Sequence, residues 1–186
     1  MNYCIEVMME EHRNINRMLK VIRQICEGII DGKDIDIDEF RSIVDFIKNY
    51  SDKYHHGKEE EFLFPEMTRT LGKIADNLIN HGMLVEHNMG RDCCMALSLA
   101  IGRYSKNPTS SYKLDIISEA MGYCKVLKNH TDKEDRVVYT FAEEHLDKDL
   151  FALVNEKTKK FEEENTDKRN KYLDLIKTLE EKYIEE

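Results

Sequence analysis

The chain has no tryptophan and, in 186 residues, only two prolines and eight glycines. So few helix breakers among many Leu, Ile, Met, Lys and Glu exclude a loop-rich or strand-rich architecture and point to an all-α one. Long apolar runs are missing too: no stretch is long enough to span a bilayer, so no membrane role is expected. Positive charge is in deficit, with 28 Lys and Arg against 37 Asp and Glu and a formal net charge of −9. The lysines alternate with acids and form no basic patch. Such a surface repels a phosphate backbone, so no nucleic-acid partner is expected. The opening "MNYCIEVMMEEHRN" lacks a basic leader and meets charge where an apolar segment would continue. A cleaved signal is therefore not expected, and the reading is cytoplasmic. The five cysteines, Cys4, Cys26, Cys93, Cys94 and Cys124, contain no C-x-x-C pair. They read as small buried hydrophobes in a reducing compartment.

What is present is helical periodicity. Apolar positions 5, 8, 15, 19, 22, 26 and 29 step by threes and fours, with His12 in the series, which predicts a helix over about 3–30. A second helix is expected from Asp36 or Asp38 through Phe40, Ile43, Val44, Ile47, Tyr50 and Tyr54, with a kink or stop at Pro65. A third runs from 72–76 to about 104, ending in the loop "YSKNPTSS". The fourth carries Ile116, Ala120, Tyr123, Leu127, Val137 and Phe141, with His130 and Glu134 in the same register. Together they predict an up-down-up-down four-helix bundle over 1–146. Residues 147–186 read as a separate amphipathic helical extension bearing Phe151, Val154, Phe161, Tyr172, Leu175, Leu179 and Tyr183. It is expected to bend near "ENTDK" and to pack on the bundle or form a homodimer with a second copy.

The chemistry is located by an internal repeat. His12 and His87, His55 and His130, and Glu59 and Glu134 are each 75 residues apart. "HHGKEEEFLF" aligns without gaps to "HTDKEDRVVY", and "EEH" to "VEH". Each copy is thus a helix with one His followed by a helix with His-x-x-x-Glu, whose two side chains share a face. Packed about a pseudo-twofold axis, the copies bring four imidazoles and two carboxylates to one level of the bundle. That mixed nitrogen and oxygen set favours iron or manganese. It predicts His12, His55, Glu59, His87, His130 and Glu134 as metal ligands, with coordination positions left for a small molecule. All six precede residue 135, so the extension is expected to be dispensable for metal binding. At about 100° per residue, His55 and Glu59 face inward. His56 falls opposite the apolar stripe, and it and Glu60 are expected beside the ligands or towards solvent.

The four motifs "EEHRNINRML", "HHGKEEEFLFPEM", "MLVEHNMGRD" and "NHTDKEDRVV" resemble, in order, those of the hemerythrin-like (HHE cation-binding) family over residues 8 to about 142. The resemblance implies a four-helix bundle holding two iron ions in an oxo- or hydroxo-bridged centre on the six residues named. It differs from the oxygen-carrying members at Met83, where those have a fifth histidine. His81, about 120° round the helix from His87, could take that histidine's place only if the helix starts irregularly there. The implied roles are binding or sensing of O2, NO or iron status. The rivals are an enzyme reducing NO or peroxide with a separate electron donor, an iron donor in repair of iron–sulfur centres, and a structural zinc bundle.

Overall fold

The computed structural model describes residues 1–184, and among these the chain forms six helices and no strand. The first, α1, spans Tyr3–Ile30. Asp36 caps the second, α2, by accepting from the backbone N–H of Asp38 and of Glu39, each at 3.1 Å. This helix is α-helical over Ile37–Phe46, π-helical over Ile47–His56 and Glu59–Leu63, and α-helical again over Phe64–Thr70. Gly72, in the left-handed region at φ 68°, lets α3 begin almost at once. α3 consists of Gly72–Leu78, a π-helical turn at Ile79–Met83, and Leu84–Lys106. α4 consists of Ser110–Lys133, a π-helical turn at Glu134–Val138, and Tyr139–His145. α5 (Lys148–Glu164) and α6 (Thr166–Tyr183) follow.

These four π-helical stretches correct the sequence reading in three places. Each i→i+5 turn inserts a residue and rotates everything beyond it by roughly 100° relative to an unbroken α-helix. Beyond Glu134 the buried residues are accordingly Val138, Tyr139 and Ala142, whereas Val137, expected inside, is 48% exposed. Pro65 does not end α2, because its missing N–H falls just past a π-helical turn, where the bonding ladder is already interrupted. The third correction is His56, which is buried, not facing solvent.

α3 lies against α2 and α4, and α1 against α2 and α4. The interior is two apolar clusters. One holds Ile15, Phe46, Tyr54, Leu97 and Leu127; the other holds Met8, Leu63, Phe64, Met83 and Val138. In every bundle helix the change from one cluster to the other falls at a histidine: His12, His55, His87 or His130. A polar layer thus divides the core.

The C-terminal pair meets at Asn165, inside the expected bend. Its apolar stripe is covered by the chain's own bundle. Phe151 and Val154 join one cluster, and Tyr172, Ile176 and Leu179 the other. Arg17 on α1 donates to both carboxylate oxygens of Glu180 on α6, at 2.9 and 2.5 Å. The stripe that suggested a second copy is therefore already partnered within the chain.

Candidate metal centre

All six sequence-predicted residues lie in the polar layer, each at most 1% exposed. The structure sorts them, with His56, into two groups whose donor atoms lie within 4.8 Å of one another. The first is His12, His55, Glu59 and Glu134; the second is His56, His87, His130 and Glu59. Glu134 also borders the second group, 3.7 Å from His87 Nε2 and 3.1 Å from His130 Nε2. The wide turns of Ile47–His56 bring His56 round to stack on His87, ring centres 3.8 Å apart. Met83 is buried among apolar side chains, and His81 is exposed.

Each imidazole is held from behind by a carboxylate. His12 Nδ1 bonds Asp135 at 2.6 Å, His55 bonds Glu11 at 2.9 Å, His87 bonds Glu60 at 2.6 Å and His130 bonds Glu86 at 3.2 Å. Asp52 stands 3.4 Å from His56 and is more firmly tied to Arg91, at 2.8 Å. An Nδ1–H donated outward leaves the lone pair on Nε2, the arrangement metal-ligating histidines adopt. Two of these partners, Glu11 and Glu86, escaped the sequence reading. Their signal was present, since Glu11 and Glu86, like Glu60 and Asp135, are again 75 residues apart.

All five Nε2 atoms, Glu59 Oε2 and both Glu134 oxygens are buried and have no hydrogen-bond partner. Each such orphan costs about 1–3 kcal/mol. Eight such donor atoms converging on one layer form a set that a cation would satisfy. The residues therefore fit a metal: imidazole nitrogens and carboxylate oxygens in two adjacent sets that share a glutamate.

The electrostatics of the layer follow from its burial and its close charges. Burial, with neighbouring positive character on His12 and His87 respectively, holds His55 and His56 well below the usual imidazole value. Burial also lowers His12 and His130, but there the carboxylates outweigh it. Asp135 and Glu134 raise His12, and Glu134 and Glu86 lift His130 to about 9. Burial and the nearby Glu134 charge push Glu59 well above the carboxylate range. Burial acts on Glu134 too, but His130, His12 and His87 hold it well below.

Tyr139 donates from its hydroxyl to Glu59 Oε1 at 2.5 Å and stacks on His12. Its repeat mate, Phe64, stacks on His87 without a hydroxyl to offer. A cavity of about 370 Å³ between α2 and α3, lined by Ile47, Ser51, Cys94 and Tyr123, is floored by His56 and His87. No helix among the described residues is long and apolar enough to cross a membrane.

The sequence model of the Hemerythrin HHE cation binding domain matches residues 4–142, and the chain belongs to that family. No curated protein matches it.

Proposed function

We propose that the chain holds two iron ions in this layer and uses them to bind or sense a small diatomic molecule, O2 or NO. The first ion would sit on His12, His55, Glu59 and Glu134, the second on His56, His87 and His130, with Glu59, and Glu134 beside it, linking the two. The observation that supports this is the convergence of orphaned donor atoms into two sets sharing a carboxylate. When bound, iron supplies a redox-active Lewis acid with coordination positions left for an outside ligand. The protein's own contribution is orientation and exclusion. Five carboxylates fix the imidazole rings, two apolar clusters keep bulk water from the layer, and the cavity against His56 and His87 gives a small molecule room beside it. His56 supplies from α2 the fifth imidazole that Met83 withholds in α3.

Anaerobic purification and iron analysis, followed by optical and Mössbauer spectra before and after NO and O2, test the reading. The expected result is two irons per chain in a coupled pair whose spectrum changes with either gas. One metal per chain, or zinc, would overturn it.

A second reading, reduction of NO or peroxide with an outside electron donor, is favoured by one observation. The Tyr139 hydroxyl is a proton donor already aimed at the shared Glu59. Catalytic turnover under a chemical reductant would support it, and stoichiometric binding alone would not.

A further inference from the structure

The repeat carries its own internal control. Behind His55 stands Glu11, and the ammonium of Lys58 bonds Glu11. Behind His130 stands Glu86, and the ammonium of Lys133 bonds Glu86. Lys58 and Lys133 are 75 residues apart, so one triad is the copy of the other. Their surroundings differ completely. Lys133 is 49% exposed and Glu86 is 20% exposed, whereas Lys58 is fully buried.

What buries Lys58 comes from beyond the family domain, which ends at residue 142. Glu162 on α5 reaches in and bonds the Lys58 ammonium with one carboxylate oxygen. Its other oxygen accepts from the Tyr54 hydroxyl at 2.6 Å and from Arg169 at 3.1 Å. The ammonium also lies 4.1 Å from the centre of the Tyr54 ring, with Phe161 of α5 next to it. Glu11 alone balances the charge of this ammonium, and Glu162 supplies the second acceptor that fixes where it sits; a buried ion pair keeps its geometry only while its remaining protons are also satisfied. The water-exposed triad has no such dependence.

We propose that Glu162 is a positioning residue for one metal position and not the other. It acts through Lys58 and Glu11 on the His55 ring, so the C-terminal helices complete the ion position of His12, His55, Glu59 and Glu134. The position of His56, His87 and His130 stands without them. This rests on the two-ion reading above and revises the expectation that residues 147–186 are dispensable for metal binding. Outer partners of metal-ligating histidines change affinity by about 10–100-fold when removed.

The test uses the full chain, stripped of metal and titrated anaerobically with Co2+, followed by d–d absorption and by the hyperfine-shifted, exchangeable ring N–H signals of the ligating histidines. The variants are Glu162→Gln, which keeps size and loses charge, and Glu162→Ala, with helicity and melting measured alongside. In the parent, two ions are expected. In Glu162→Gln one binding step should weaken by at least about tenfold while the other stays within about threefold. One ring N–H signal should shift or exchange faster, with unchanged helicity. Should Glu162→Ala fail to fold, the isosteric Gln variant alone decides. Both steps unchanged, or both weakened equally, overturns the proposal while leaving the two-ion reading intact. A parent that takes up only one Co2+ overturns that reading and the proposal with it.

Discussion

Around His55 the pair Glu11 and Lys58 is sealed under α5, whereas around His130 its copy, Glu86 and Lys133, meets water. The contrast extends inward. The His12 side has two imidazoles and a tyrosine hydroxyl, and the His87 side has three imidazoles, an aromatic without a hydroxyl, and a cavity. The repeated halves therefore share three ligand pairs and two pairs of outer carboxylates. They differ wherever one half has gained something: a long π-helical stretch, a second histidine, a hydroxyl, a covering helix. Duplication explains the shared frame, and these departures make the two metal positions chemically unequal.

The largest effect is expected where the halves meet. Glu134→Ala removes a carboxylate that faces both groups. Iron should fall from two per chain to less than one, and added iron should no longer raise the melting temperature. In the parent, iron at a hundredfold over its Kd stabilises by about 2.7 kcal/mol. Full iron content in the variant would show that Glu59 alone joins the positions. Next, His56→Leu should cost one ion of the two, from the His87 side, while His81→Leu costs none because that ring is exposed. Equal iron content in the two variants would return His56 to the role the helical phase assigned it.

A third comparison sets Lys58→Met against Lys133→Met in the metal-free chain. Removing Lys58 takes from buried Glu11 its cationic partner, while Glu162 keeps Tyr54 and Arg169, and should cost about 3–5 kcal/mol. Removing Lys133 breaks a half-exposed pair worth about 0–1 kcal/mol. Denaturant midpoints at a common slope read the difference. Similar losses would mean that α5 does not keep water from Lys58 in solution.

Much of this was legible in the sequence, for physical reasons that can be named. α1 was placed to the residue because unbroken α-helix keeps a 100° step, and Asp36 announced the start of α2 by its capping chemistry. The six expected ligands lie in the layer because an exact spacing of 75 records a shared geometry whatever the local winding. His56, Val137 and Pro65 were misread for one common reason. A π-helical turn has no residue signature comparable to a cap, and a single inserted residue turns every later side chain. The π-helical turns at Glu59–Leu63 and Glu134–Val138 are themselves 75 residues apart, so they leave the repeat in register. The stretch Ile47–His56 has no such mate, since the matching residues of α4 are α-helical. His56 was therefore invisible both to phase and to alignment. Glu162 was hidden differently: a Glu beside Phe161 reads as solvated until its buried cation is placed.

The pH dependence of metal uptake should be smaller but signed. His130, with a value near 9, and His12 and Glu59, both raised, carry protons in the metal-free chain at pH values where His55 and His56 are already neutral. Binding must displace those protons, so apparent affinity should rise with pH, in part through the His130 step near 9. Calorimetric titration with Mn2+ in buffers of different ionisation enthalpy should show net proton release at pH 7.5. Proton uptake, or no release, would contradict the raised values.

The smallest effect is expected from Tyr139→Phe, which makes the aromatic mates identical on the two sides. The variant loses one hydrogen bond, a net cost of about 0.5–1.5 kcal/mol or somewhat more if Glu59 is ionised. The ring still stacks on His12, so the apolar cluster stays filled. Both irons should remain bound, because the hydroxyl bonds Glu59 Oε1 while Oε2 is the orphaned oxygen turned to the imidazoles. What should change is the response to a ligand on the His12 side, where the hydroxyl is a near proton donor. If the centre only binds or senses a diatomic molecule, the NO spectrum should persist with a small shift. If it reduces NO or peroxide, turnover should fall by about 10²-fold or more with binding retained, as expected for loss of a positioned proton donor. Unchanged turnover in an active parent would remove Tyr139 from the chemistry and leave the inequality of the two positions to His56 and the C-terminal helices.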